Sequence, residues 1–130
     1  MFNVELKQGK GETTLIVEDD EDVLSILREI LSKTGYAVLE ARNTKEAYSI
    51  FKKEKNKIRL VISDVVLPDG SGVKLVEEMI TQSPNLKVIL SSGYPSDEVD
   101  LAETNKKRFL FLQKPYILTE LLMTIREILD

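Results

Sequence analysis

The sequence predicts a doubly wound α/β fold, in which five βα units place a parallel sheet between two layers of helices. Two patterns carry that expectation. Five short β-branched or aromatic runs recur along the chain: TLIV (14–17), YAVLEA (36–41), LVIS (60–63), KVIL (87–90) and FLFL (109–112). Segments of helical length and period separate them. The runs are continuously apolar rather than alternating, as expected of strands covered by helices on both faces. A chain of 130 residues with 42% hydrophobic content suits one domain with its own core.

The elements follow in order. Residues 1–12, MFNVELKQGKGE, are polar and glycine-containing and read as a linker or tail, leaving 13–130 as the domain. After the first run, Val23, Ile26, Leu27, Ile30 and Leu31 are spaced i, i+3, i+4, i+7, i+8, which places them on one helix face. TGY closes that helix, with Gly35 as its C-terminal cap. Ala47, Ile50 and Phe51 make a shorter stripe in the second helix. Val73, Val76 and Ile80, flanked by Leu75 and Met79, mark the third, which SPN breaks. A fourth helical segment is expected at about 94–105, where apolar residues are few and acids many. Leu118, Leu121, Leu122, Ile125 and Leu129 form the stripe of the last helix.

Composition removes several functions. The chain has no histidine, which excludes Ser-His-Asp chemistry, imidazole base catalysis and His-containing zinc sites. It has no cysteine, so redox compartment is not legible. A net charge of −4 without a basic block argues against nucleic-acid binding by this chain. No apolar run approaches membrane-spanning length, and the amino terminus lacks a signal-peptide pattern.

In an open parallel sheet, ligands bind beyond the carboxyl ends of the strands. The first strand runs straight into EDDED, residues 18–22, and the third ends at Asp64 within LVISDVVLP. A carboxylate in so apolar a run is expensive to keep charged without a partner. If the first and third strands are neighbours, Glu18, Asp19 and Asp64 converge. Three such carboxylates repel one another, and a hard divalent cation with oxygen ligands removes the conflict. Asp20, Glu21 and Asp22 read instead as acids of a helix first turn. For Asp64 alone, the plain alternative is a loop carboxylate capping the turn before Pro68. The fourth run closes with Ser91, Ser92 and Gly93, and the fifth with Lys114 and Pro115. Carboxylates, a hydroxyl, a small residue and an ammonium at one sheet edge could hold a tetrahedral anion attached to a carboxylate.

TLIVEDDEDV, LVISDVVLPDGSG, VILSSGYP and FLQKPY, in this order and spacing, resemble the receiver domain of two-component response regulators. The resemblance covers nearly the whole chain from Thr13. It implies a flavodoxin-like three-layer sandwich with a five-stranded parallel sheet of order 2-1-3-4-5. It further implies that Asp64 is the phosphoacceptor and that Mg²⁺ sits at the acidic pair. Asp19 and Asp64 would be its direct side-chain ligands, Glu18 would act through water, and the Val66 backbone carbonyl would add an oxygen. Ser92 would be the switch hydroxyl, Lys114 the phosphoryl-pairing lysine, Phe111 the aromatic whose rotamer reports activation, and Pro115 would follow a cis peptide bond. Gly93 departs from the alanine common after the switch hydroxyl, and NKKRF lacks the glycine often found before the fifth strand.

The wording of the motifs is most similar to the receiver at the C-terminus of hybrid sensor histidine kinases, with KQGKGE resembling the linker to the kinase core. Implied partners are a histidine kinase or histidine phosphotransfer domain as donor and a downstream protein target. The surface formed by the fourth helix, fifth strand and fifth helix would switch and could support a homodimer. The implied location is the cytoplasm, with no membrane contact by this domain. Its chemistry would be self-directed: it is phosphorylated and dephosphorylates itself, with no separate substrate. By the same resemblance, hydrolysis depends on Val66 and Tyr94; neither suits the positioning of a water, so slow autodephosphorylation is expected. Alternatives are a stand-alone single-domain regulator and a pseudo-receiver that only binds protein. A Mg²⁺-dependent phosphatase of related fold is disfavoured because Val66 stands where a second acid is needed. A DNA-binding regulator would need an output domain that this chain lacks.

Overall fold

The computed structural model describes residues 8–93 and 109–130. Its elements are β1 (Thr13–Val17), α1 (Glu21–Lys33), β2 (Ala37–Ala41), α2 (Thr44–Glu54) and β3 (Ile58–Asp64). Two short strands, β4 (Val66–Leu67) and β5 (Gly70–Ser71), then pair as an antiparallel hairpin. They are followed by α3 (Gly72–Gln82), β6 (Lys87–Ser92), β7 (Phe109–Gln113) and α4 (Leu118–Leu129). The five long strands are all parallel, in the order β2-β1-β3-β6-β7. Without the hairpin, this is the expected 2-1-3-4-5 arrangement. The helical segment expected at 94–105, with Tyr94, lies outside the described residues.

Side chains alternate between the two faces of each strand, so one apolar run serves two cores. Leu15 and Val17 of β1, Val61 of β3, and Val88 and Leu90 of β6 pack with Ala47 and Phe51 of α2 and Val73, Val76 and Met79 of α3. Ile16, Leu60, Ile62 and Ile89 face the other way, onto Leu24, Leu27 and Leu31 of α1 and Leu121, Leu122 and Ile125 of α4. Each fully buried aliphatic side chain contributes roughly 1.5–3 kcal/mol relative to exposure.

Asp20 caps α1, accepting from the amides of Asp22 and Val23. The helix closes in a Schellman turn: Gly35 has φ +98° and the Tyr36 amide donates to the Leu31 carbonyl. The buried line of α1 is Leu24, Leu27 and Leu31, and Ile26 is 52% exposed, which corrects the expected stripe. The face turned onto Ile16 and Ile62 of the sheet is the one that carries Leu24, Leu27 and Leu31.

Of residues 1–12, expected as a linker or tail, residues 1–7 lie outside the described residues. Among those described, residues 8–12 are docked on the domain. The Gly9 and Gly11 amides donate to the carbonyls of Thr34 and Gly35, and the Glu12 carbonyl accepts from the Ala37 amide. Arg126 of α4 donates to the Gln8 carbonyl and pairs with Glu12 at 2.6 Å. The composition is polar, but its groups are satisfied by one buried guanidinium and by the free carbonyls at the end of α1.

Candidate functional site at the carboxyl edge of the sheet

Since β1 lies beside β3 and β3 beside β6, the ends of three neighbouring strands meet at one edge. Glu18 follows β1 and is held by its amide, which donates to the Ala41 carbonyl. Its side chain is 2% exposed. Asp19, next in sequence, is exposed, and Asp64 at the end of β3 is part-buried. One carboxylate oxygen from each of Glu18, Asp19 and Asp64 lies within 4.8 Å of the other two.

Lys114 reaches this cluster from the loop after β7. Its Nζ donates to Asp64 Oδ2 at 2.8 Å and makes a short contact with Glu18 Oε1. The Lys114 amide donates to the Ser92 carbonyl, and the Lys114–Pro115 peptide is cis. Burial opposes the charge of this lysine, but the hydrogen bonds it donates to Asp64 and Glu18, together with their negative charges, outweigh it and hold its pKa above the ordinary value. Burial pushes the Glu18 carboxyl up, against the lowering effect of Lys114. The second oxygen of Asp64 accepts from the Val66 amide at 3.2 Å. Val66 itself is 58% exposed beside the acids.

Ser92 ends β6 and is 1% exposed. Phe111 lies on β7 opposite Leu90, half-buried against the core beneath α2 and α3. The edge thus brings together Glu18, Asp19, Asp64, Ser92, Lys114 and Val66, with Phe111 further down its strand. Tyr94 lies outside the described residues.

Two residues that the sequence did not single out, Gly72 and Tyr116, also shape the edge. Gly72 starts α3 with its amide donating to the Val65 carbonyl. A Cβ there would lie 1.9 Å from the Asp64 carbonyl oxygen. The only signal for this is the second glycine of DGSG. Tyr116 donates its hydroxyl to Ser91 Oγ at 2.5 Å, and Ser91 is the cross-strand partner of Asp64. Ser91 is legible as a strand-end serine, but its pairing with Tyr116 is not, since the contact joins positions 25 apart.

An all-oxygen donor set of three carboxylates suits a hard divalent cation such as Mg²⁺. Lys114 neutralises part of the charge without filling the cluster's exposed side, where Asp19 lies.

A parallel doubly wound sheet with an acidic, lysine-bearing cup at its carboxyl edge defines the receiver-type class of α/β domain. Residues 14–126 match the sequence profile of the response regulator receiver domain, and the chain belongs to that family. It is a receiver domain of a two-component system. It is 35% identical over 122 residues to the sensor kinase CckA of Brucella abortus, covering 92% of this chain but 13% of that protein. Among solved structures, a CheY-like response regulator receiver domain protein from Methanospirillum hungatei superimposes with a TM-score of 0.79 at 31% identity, covering 92% of this chain and 94% of that one. The response regulator TrrA of Thermotoga maritima, solved in complex with Mg²⁺ and BeF, superimposes with a TM-score of 0.79 at 26% identity, covering 91% and 99%. Among the described residues, no helix is long and apolar enough to cross a membrane.

Proposed function

We propose that this domain accepts a phosphoryl group on Asp64 from a phosphohistidine of another domain or protein. The observation that carries the reading is the Asp64 carboxylate, with one oxygen 2.8 Å from the Lys114 ammonium and the acids of Glu18 and Asp19 gathered beside it. The donor histidine must come from elsewhere, since this sequence contains none.

In the transfer, an Asp64 oxygen forms a bond to phosphorus as the bond from phosphorus to the donor imidazole nitrogen breaks. The electron pair of the broken bond stays on the imidazole. The step asks the protein mostly for alignment and charge neutralisation. Asp19 and Asp64 would hold a Mg²⁺ ion directly, Glu18 through water, and the Val66 carbonyl would complete its protein ligands. When bound, Mg²⁺ supplies Lewis-acid stabilisation of the transferring phosphoryl oxygens. Lys114 supplies a second positive charge on the other side. The Val66 amide, already aimed at Asp64, can donate to a phosphoryl oxygen. Ser92 would then turn toward the new dianion and Phe111 would follow, changing the face built on β7 and α4 that a downstream partner reads.

Because the chain spans only 13% of the sensor kinase it matches, its setting is also part of the proposal: a cytoplasmic receiver within a hybrid kinase chain. The text of the gene upstream of KQGKGE tests that part. The phosphoacceptor reading is tested by mixing the protein with Mg²⁺ and acetyl phosphate and weighing it intact. A gain of one phosphoryl mass that requires Mg²⁺ and vanishes in Asp64→Asn is expected. An equal gain in Asp64→Asn refutes the reading.

A further inference from the structure

We propose that Tyr116 is a positioning residue that, through its hydroxyl bond to Ser91, holds the Lys114 ammonium against Asp64. The inference rests on the phosphoacceptor reading and names a residue on which that reading depends.

The loop between β7 and α4 carries Lys114, and among the described residues the Tyr116 ring packs against the core under α1 and α4. Helix α4 is preceded by Ile117 at its N-cap, which offers no side-chain cap. Ile117 is 64% exposed, and Pro115 is exposed too. Besides the Lys114 ammonium itself, two hydrogen bonds among the described residues tie this corner to the sheet, and they land on adjacent residues of β6. The Lys114 amide donates to the Ser92 carbonyl at 2.9 Å, and the Tyr116 hydroxyl donates to Ser91 Oγ at 2.5 Å. Ser91 is fully buried and sits in register with Asp64 on β3. The hydroxyl bond therefore measures the loop against the same strand position that bears the acceptor. Burial pushes the Tyr116 hydroxyl up to about 12, so it remains a donor throughout the working range of the site. Its ring and Lys114 line a cavity of about 420 Å³ with Val23, Ile26, Pro115 and Leu118, which leaves space for the loop to shift if the hydroxyl bond is lost.

Tyr116→Phe keeps the ring and deletes the bond; Ser91→Ala deletes it from the other side. Each is expected to slow labelling of the full chain by acetyl phosphate on the order of tenfold, as misplacement of an aligned group does. Mg²⁺ affinity should stay within about twofold, because the carboxylates that hold the ion are not on this loop. The decisive arm uses a Lys114→Ala background, followed over longer times. There Tyr116→Phe should make no further difference, since a residue that acts only through the ammonium has nothing left to position. Equal slowing by Tyr116→Phe in both backgrounds assigns it a structural role and overturns the proposal. So does a Tyr116→Phe protein labelled as fast as the parent, while the parent is labelled normally. An unlabelled parent overturns the phosphoacceptor reading, and this proposal with it.

Discussion

The first residue of α3, Gly72, lies against the backbone of Asp64 so closely that a methyl group on it would stand 1.9 Å from the Asp64 carbonyl oxygen and 3.0 Å from Ser63 Oγ. The neighbouring atom is main chain at the end of the central strand and cannot swing away as a side chain would. Gly72→Ala must displace either α3 or the end of β3. We expect it to destabilise the domain by roughly 3 kcal/mol, the upper part of the overpacking range, and to weaken Mg²⁺ binding by moving Asp64. Urea unfolding and Mg²⁺ titration read the two effects. A variant with the parent's midpoint and affinity would mean that the backbones are not in contact.

Lys114 is the cation of the cup, and its removal separates two roles of charge. Lys114→Met leaves Asp64 and Glu18 without their ammonium partner, so Mg²⁺ should bind at least as tightly as in the parent. Phosphoryl transfer should nevertheless fall by about 10²-fold, the scale for loss of one preorganised charge partner in the transition state. Isothermal titration with Mg²⁺ and the rate of acetyl phosphate labelling check the pair of outcomes. Loss of Mg²⁺ binding in Lys114→Met would contradict the assignment.

Glu12 and Arg126 join the chain lead to the last helix, with both side chains at most 10% exposed. Removing one member of such a pair strands the other, and Arg126→Met is expected to cost about 3 kcal/mol. Replacing both, as Glu12→Leu with Arg126→Met, should recover much of that loss. A chain starting at Thr13 would lack Glu12 and should be less stable than one starting at Gln8. If Arg126→Met and the parent unfold at the same urea concentration, residues 8–12 are not integral to the domain.

The same pair sets a pH dependence. Burial opposes the Glu12 charge, but the Arg126 hydrogen bond, backbone N–H donors such as that of Lys10 and the Arg126 charge together outweigh it and hold the carboxyl below its usual range. A depressed folded-state pKa gives stability that is present at neutral pH. It is lost as pH falls from about 4.3, the ordinary glutamate value, through the lower folded value. The stability gap between the parent and Glu12→Gln should therefore be full at pH 7 and close in acid. A gap that persists unchanged at pH 3 would exclude the linkage.

Val66 stands 58% exposed beside the acids and offers no group to orient a water. Slow loss of the phosphoryl group is expected, and Val66→Asn should speed it several-fold by supplying a donor and an acceptor at the mouth of the site. Decay of the labelled protein after removal of acetyl phosphate measures this. An unchanged lifetime would remove Val66 from the hydrolytic path.

Much of this protein was legible in the order of its residues. Continuous apolar runs such as LVIS and KVIL announced strands buried on both faces, because a strand alternates its side chains and only a doubly covered one needs both sets apolar. The acids of EDDED and Asp64 stood out because charge at the end of an apolar run needs a partner. Tertiary structure alone decided the rest. The rotation of α1 that buries Leu24 and exposes Ile26, the docking of residues 8–12 through Arg126, the close approach of Gly72 to Asp64 and the bond from Tyr116 to Ser91 all join distant positions or depend on a rigid-body fit. Local pattern reports which side chains prefer water or oil. It carries no information on which distant atoms meet, because that is settled by how the layers pack as a whole.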